Sequence, residues 1–545
     1  MHNNNNTTLA NSYRPSNNNI PTLEMTAGDA LRRAAKLEGA REALVEANPP
    51  SWPSLTGASS TSRRWTYQEL LDDAELCAHW LLNEFPANAH ICVWAPNVPE
   101  WIIMQYGCAL AGMTLITANP AFRTKELEYV LTSSDSVGLF FIDEYRGSNM
   151  VAMANEINLD IKKVSFTGWL NTIRQVSKDK ELPKVDPYSS AQIQYTSGTT
   201  GTPKGALLHH MGLVTNGLYT AERSNFDREI VLCPMPLFHT AGSVICVLGC
   251  VGKLSTLVLP SVFDPELILT TIAKERGTAI GAVPTMLLAM LAAQQTLQAD
   301  VSSLKLAISG GSSVPAHLTV RVREELGCDV VTVYGQTELS PIVCQTSPDD
   351  SDDDKANTAG RPLWNVEVRI MDVDNNEVAA IGHEGEIQVR GYQTMLKYYK
   401  RPEDTAETLL PDGWLRTGDV GTMDERGYIK ITGRLKDMII RGGENIFPAE
   451  IESVLIKHEA IQDVCVFGEP DNYWGEVVVA AVIVRNGVTA PTCDALIAFS
   501  KEHLAAHKAP SKYYLCEAFP LTASGKVQKF ALAELTAAGE LTTLE

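Results

Sequence analysis

One stretch limits what this chain can be more than any other: Gln194-Tyr-Thr-Ser-Gly-Thr-Thr-Gly-Thr-Pro-Lys-Gly205. Its hydroxyl residues Thr196, Ser197, Thr199 and Thr200 are interleaved with Gly198 and Gly201, and Lys204 stands near its end. Glycine admits positive φ, so a loop of this kind can turn successive N–H groups toward one point. Hydroxyls and an ammonium around that point make an anion cradle, and the chemistry suits a polyphosphate. A surface linker would account for the glycines but not for the apolar flanks Ala191–Tyr195 and Ala206–Leu208. The spacing matches neither common nucleotide loop. Lys204 is followed by Gly205 where a Walker loop has Ser or Thr, and the stretch lacks Gly-x-Gly-x-x-Gly.

A chain of 545 residues exceeds one core and predicts two to four domains. The pattern before the cradle alternates strand and helix. Trp65–Leu71 opens a helix, with Thr66 as N-cap and Glu69 at capping-box spacing. His90–Ala95, Thr114–Thr117 and Gly138–Ile142 are short apolar strands, and Trp101–Ala111 is an apolar helix between the first two. After the cradle Asp264 and Pro265 start another helix, and Ala279–Val283 and Lys305–Ser309 read as strands.

The fold class is therefore α/β: a large N-terminal domain over 23–435 of doubly wound, mainly parallel sheets. Its last part, 360–435, alternates like antiparallel strands and predicts a small β subdomain. A small, mobile C-terminal α+β domain is expected over 436–545. The Asn-rich residues 1–22 read as a disordered tail, and Asp349–Lys355 as a solvated acidic loop.

A net charge of −20 argues against nucleic acid and against a polybasic membrane anchor. The longest apolar run, Val244–Val251, falls far short of the ~20 residues of a membrane span. Eleven cysteines without a Cys-x-x-Cys pair suggest free thiols in a reducing compartment. The expectation is a soluble cytoplasmic protein, with a homodimer no more than a guess at its assembly.

Four further blocks carry chemistry. Val333-Tyr-Gly-Gln-Thr-Glu338 ends an apolar strand with an aromatic, a hydroxyl and a carboxylate, which suits a nucleotide base, a phosphate and Mg²⁺. In Trp414-Leu-Arg-Thr-Gly-Asp419 and Thr432-Gly-Arg-Leu-Lys-Asp437, Asp419 could accept two ribose hydroxyls and Arg434 could donate to ribose or phosphate. Pro520-Leu-Thr-Ala-Ser-Gly-Lys526 holds a lysine in a glycine-containing turn. Taken singly, each has a plainer reading: an exposed glutamate, a turn-capping aspartate, a solvated cation.

Together with the cradle, these blocks resemble, in order from Leu23 to Leu532, the adenylate-forming superfamily of acyl-CoA synthetases, adenylation domains and luciferases. Lys436-Asp-Met-Ile-Ile-Arg-Gly-Gly-Glu-Asn-Ile-Phe-Pro448 is similar to the medium-chain acyl-CoA synthetase branch. The resemblance implies an ATP-dependent acyl-CoA synthetase that converts a carboxylic acid to acyl-AMP and then passes the acyl group to CoA. Thr196, Ser197, Gly198, Thr199, Thr200, Gly201 and Lys204 would hold phosphates, and Gly310 and Gly311 would form the adenine turn. Tyr334, with Gly335 and Gln336, would meet the base, Thr337 a phosphate, and Asp419 and Arg434 the ribose. Glu338 and Thr196 would hold Mg²⁺, and Lys526 would catalyse adenylation. Lys436 would be the hinge, and Gly442, Gly443 and Glu444 the CoA tunnel; His239, Val283, Met286 and Gly311 would line the acyl pocket. An aryl-CoA ligase, a carrier-protein-loading enzyme, a luciferase-like oxygenase and a non-catalytic binding protein are the rival readings.

Overall fold

The computed structural model describes residues 8–49, 51–178, 181–196, 203–312, 314–521 and 527–545. A seven-stranded sheet runs in spatial order Lys397–Tyr398, Lys204–His209, Ser190–Thr196, Thr114–Ala118, His90–Trp94, Gly138–Phe141 and Lys162–Ser165. The last five of these are parallel. Lys204–His209 instead returns antiparallel along Ser190–Thr196, with Thr196 opposite Lys204. The cradle thus joins two hydrogen-bonded strands near one edge of this sheet.

A nine-stranded sheet has a parallel centre that includes Ile230–Leu232, Thr256–Leu259, Ala279–Gly281, Leu306–Gly310 and Asp329–Gly335. Its interior strands are continuous apolar runs because both faces are covered, as parallel sheets require. The helix Pro99–Ala111 is buried along its whole length, which explains its apolar character on every side. Local signals worked as predicted. The Thr66 hydroxyl accepts from Glu69 N–H at 3.2 Å while the Glu69 carboxylate accepts from Thr66 N–H at 2.8 Å. Asp264 accepts from Leu267 N–H at 2.8 Å, ahead of Pro265 at the first helical position.

The β subdomain is a five-stranded antiparallel sheet of Tyr13–Arg14, Val366–Met371, Gly385–Gly391, Leu415–Met423 and Ile429–Arg434. The first of those strands corrects the disordered-tail reading for residues 8–22, the described part of 1–22. Tyr13 and Arg14 pair with Arg369 and Val368, Ser12 is buried, and its hydroxyl donates to Ala380 O at 2.8 Å. Two residues of sheet edge and one anchored serine outweigh an unpromising composition.

The acidic stretch also departs from expectation. Asp352–Asn357 is a short helix capped by Ser351, and Asp354 and Lys355 are buried. Asp354 accepts from Arg426 at 2.7 Å, so its charge is paired and not solvated.

Beyond residue 438 a six-stranded mixed sheet carries its own core on each face. Alternation along the strands divides the two cores. Val464, Val466, Val478 and Ala480 point one way, and Cys465, Phe467, Val479 and Ala481 the other. All eleven cysteines are free, and all but Cys493 are buried. Among the described residues no helix is long and apolar enough to cross a membrane.

Candidate active site

Two clusters of side chains meet where the sheets end. The first stands on the strand Asp329–Gly335 and on a cross-strand pair of the β subdomain. Asp419 and Arg434 are register partners on adjacent antiparallel strands, and the Arg434 Nε donates to Asp419 Oδ1 at 3.0 Å. Tyr334 Oη donates to the other oxygen, Oδ2, at 2.9 Å. Burial first, and then the neighbouring aspartate, push the Tyr334 hydroxyl well above its ordinary range, so it remains a donor. Asp419 N–H donates to Thr417 Oγ1 at 3.0 Å, which fixes the aspartate backbone. Gly310 lets the neighbouring strand tips touch here: a Cβ on it would stand 2.4 Å from Val333 O.

The second cluster follows directly in the chain. Past Gly335, Gln336 N–H donates to Pro341 O at 3.0 Å, and the turn Thr337–Leu339 carries Thr337 and Glu338, both buried. Glu338 Oε1 accepts from Tyr398 Oη at 2.7 Å. The ring of Tyr398 lies under the Lys204 ammonium, 5.5 Å from its centroid, and Lys204 is ion-paired with Asp404. Thr196 Oγ1 donates to Lys204 O at 3.4 Å. The structure thereby brings Lys204, at the end of the cradle, and Glu338 onto one tyrosine.

These groups fit Mg²⁺ in one manner only. Among the described residues no cluster of three or more His, Cys, Asp or Glu could hold a metal by itself. A single carboxylate linked through Tyr398 to the Lys204 ammonium would suit a hard cation that arrives with a nucleotide and takes its remaining ligands from phosphate oxygens and water.

Of the other residues singled out by sequence, Val283 and Gly311 stand together, with Val283 Cγ1 3.8 Å from where a Gly311 Cβ would lie. Gly281, on the strand leading to Val283, lies against Cys246 and Met235, so the helix Ala241–Leu248 that follows His239 packs on that strand. His239 Nδ1 accepts from Ala241 N–H at 3.3 Å. Met286 packs half-buried against the core beside Val283.

Lys436 is exposed in the turn Leu435–Asp437, between the β subdomain and the C-terminal sheet. Gly442 and Gly443 have φ of +60° and +89°, values only glycine adopts freely. Gly442 N–H donates to Trp474 O at 2.7 Å, and Glu444 closes that hairpin opposite Arg441. Ser197, Gly198, Thr199, Thr200, Gly201 and Lys526 lie outside the described residues.

Sequence reading missed Tyr398, Asp404 and Trp474. The Arg441 guanidinium stacks on Trp474 at 4.4 Å, beside the two glycines. The only local signal for Asp404 was Pro402, which starts the helix Pro402–Thr408.

Comparison with known proteins identifies the family. Residues 31–399 match the AMP-binding enzyme family and residues 450–526 the C-terminal domain of AMP-binding enzymes. YngI of Bacillus subtilis (strain 168), provisionally designated an acyl-CoA synthetase, is 36% identical over 529 residues, covering 90% of this chain and 96% of that protein. The mitochondrial medium-chain acyl-CoA ligase ACSF2 of Macaca fascicularis is 33% identical over 552 residues, covering 94% of this chain and 87% of that protein. The crystal structure of ATP-bound MatB from Rhodopseudomonas palustris superposes with a TM-score of 0.82 at 26% identity, covering 94% of this chain and 99% of that one. The chain belongs to the AMP-binding enzyme family, as an AMP-forming acid–thiol ligase of the acyl-CoA synthetase kind.

Proposed function

We propose that the chain activates a medium-chain fatty acid in two steps, first to acyl-AMP and then to acyl-CoA. In the first step a carboxylate oxygen attacks the α-phosphorus of ATP, the bond to the bridging β-phosphate oxygen breaks, and pyrophosphate leaves. In the second the CoA sulfur attacks the acyl carbonyl, the carbon–oxygen bond to phosphate breaks, and AMP leaves. The observation that carries this reading is the pair of adjoining clusters. Asp419 and Arg434 offer an acceptor and a donor for ribose, Tyr334 beside them a ring for the base, and the same strand runs on to Glu338, which Tyr398 links to Lys204.

Thr196, Lys204 and residues 197–201 would hold the β- and γ-phosphates, with Glu338 facing Mg²⁺. The metal, when bound, supplies neutralisation of phosphate charge. Lys526 would bridge the acid and the α-phosphate, where positive charge acts most on the transition state. Lys526 and the Gly442–Gly443 loop belong to different half-reactions but to the same small module, which calls for rotation about Lys436. Lys436→Pro should leave acyl-AMP formation intact and cut thioester formation; survival of both half-reactions would remove the hinge from the account.

The medium-chain assignment rests on the ACSF2 similarity and on apolar or small side chains at Val283, Met286 and Gly311. A pyrophosphate-release panel with ATP, CoA and a series of acids tests it. Hexanoate to decanoate should give the highest rates. Faster turnover of benzoate would move the enzyme to the aryl-CoA ligases, and no release with any acid would end the proposal.

A further inference from the structure

The segment from Met395 to Thr405 is a strap across both halves of the phosphate site. Met395 N–H donates to Glu338 O, and Tyr399 N–H donates to Gly205 O, each at 2.8 Å. Between them Lys397–Tyr398 pairs antiparallel with Ala206 and Leu207, on the strand that begins at Lys204. The strap therefore touches the turn that carries the carboxylate and the strand that carries the ammonium. Its one side chain that reaches both is Tyr398.

Tyr398 has one proton to donate, and it goes to Glu338 Oε1 at 2.7 Å. Its ring face lies under the Lys204 ammonium, inside the ~6 Å range of a cation–π contact, while Asp404 on the same strap pairs with that ammonium from another side. Tyr398 N–H is held in turn by Thr405 Oγ1 at 3.0 Å, so the ring sits on an anchored backbone. Glu338 is buried, and among the described residues Tyr398 is the only donor to its carboxylate. Without that bond one fixed oxygen would be lost, and with it the direction in which the other oxygen points.

We propose that Tyr398 is a positioning residue: its hydroxyl aims the Glu338 carboxylate at the metal carried by ATP, while its ring and Asp404 place the Lys204 ammonium beside the same phosphates. The inference rests on the reading of Glu338 and Lys204 as the groups that meet Mg·ATP.

The test is calorimetric binding of ATP to the full chain, once with Mg²⁺ and once with the metal removed by EDTA. The wild-type protein should bind Mg·ATP more tightly than metal-free ATP. Tyr398→Phe keeps the ring but not the hydroxyl. It should lower that preference about tenfold, the worth of one hydrogen bond to a charged group, and leave metal-free ATP binding within about twofold. In a Glu338→Gln background the same substitution should add no further loss. A Tyr398→Phe protein with the wild-type Mg²⁺ preference, or losses that simply add in the double variant, would overturn this inference alone. A wild-type protein indifferent to the metal would overturn the functional reading of Glu338 and this inference with it.

Discussion

The large lobe and the small C-terminal module hold their site residues in opposite ways. In the large lobe the groups are tied to sheets before any ligand arrives: Asp419 has partners on both oxygens, Glu338 has Tyr398, and Lys204 has Asp404. The C-terminal module instead leaves several large apolar side chains exposed. Tyr473 is 83% exposed and Phe530 65%, with Ile440, Trp474 and Leu521 also exposed. On the proposed reading, nucleotide recognition is built into one lobe, and the other supplies groups that act when the lobes close. Separate cores make that division physically feasible, because the C-terminal clusters share no residue with those of the large lobe.

The largest effect expected from this division is on Lys526. Lys526→Ala should slow adenylation by about 10²–10³, the usual cost of one contact to developing charge, while thioester formation from supplied acyl-AMP is retained. Rapid-quench assays of the two half-reactions give the answer. Equal loss in both would mean that the lysine does not belong to adenylation alone, and the contrast between lobes would fail. Next in size is Asp419→Asn, in the preorganised lobe. It weakens the link to Arg434, and an amide nitrogen turned toward Tyr334 would meet a donor with a donor. ATP affinity measured by calorimetry should fall about tenfold, with the thermal midpoint little changed. Unaltered affinity would show that the cross-strand pair is architecture only.

A smaller effect, confined to the module, is expected of Gly442→Ala. Its new Cβ would stand 2.7 Å from Trp474 Cε3, at a φ of +60° that alanine resists. The glycine hairpin would have to shift off the indole. Thioester formation should drop about threefold to tenfold through an apparent loss of CoA affinity, with adenylation unaffected, for a strain on the order of 1 kcal/mol. A matching drop in pyrophosphate–ATP exchange would tie this loop to the large lobe after all.

What could be read from sequence follows the range of the physical signal. Caps and strand ends are local patterns, and the structure places them as expected; the Asp419 and Arg434 blocks, also local, fall on two paired strands. Tyr398 was not legible because its meaning lies in a bond to Glu338, 60 positions away, and in a lysine on a different strand. Asp354 was misread for the same reason: its burial depends on Arg426, 72 positions on, and charge composition alone indicates solvent. Tyr13 and Arg14 look like part of a disordered tail until Val368 and Arg369 supply the edge they pair with. Local chemistry announces itself in order along a chain, whereas ion pairs and edge strands need the fold to bring their partners.

The smallest expected effect is on stability and sharpens the contrast between lobes without touching the site. His210 opens the helix His210–Arg223, fully buried, and among the described residues neither ring nitrogen has a hydrogen-bond partner. Burial, and then the neighbouring His209, push it down to about 4; Asp29 and Asp186 pull weakly the other way. The folded state therefore keeps this histidine neutral at pH values where an unfolded chain, with its pKa near 6.5, has already taken up the proton. In that window the unfolded state binds more protons, so stability rises with pH; the contribution is complete above about 6.5 and is lost as pH falls toward about 4. Between pH 7 and pH 5 the loss amounts to about 2 kcal/mol, which for a lobe of this size is a shift of a few degrees. The buried histidines His79, His209 and His210 all belong to the large lobe. Calorimetry should therefore show the large-lobe transition moving down between those pH values, and His210→Phe should remove about 2 kcal/mol of that dependence. An unchanged pH slope in the variant would mean that the ring is solvated by a path the packing does not reveal.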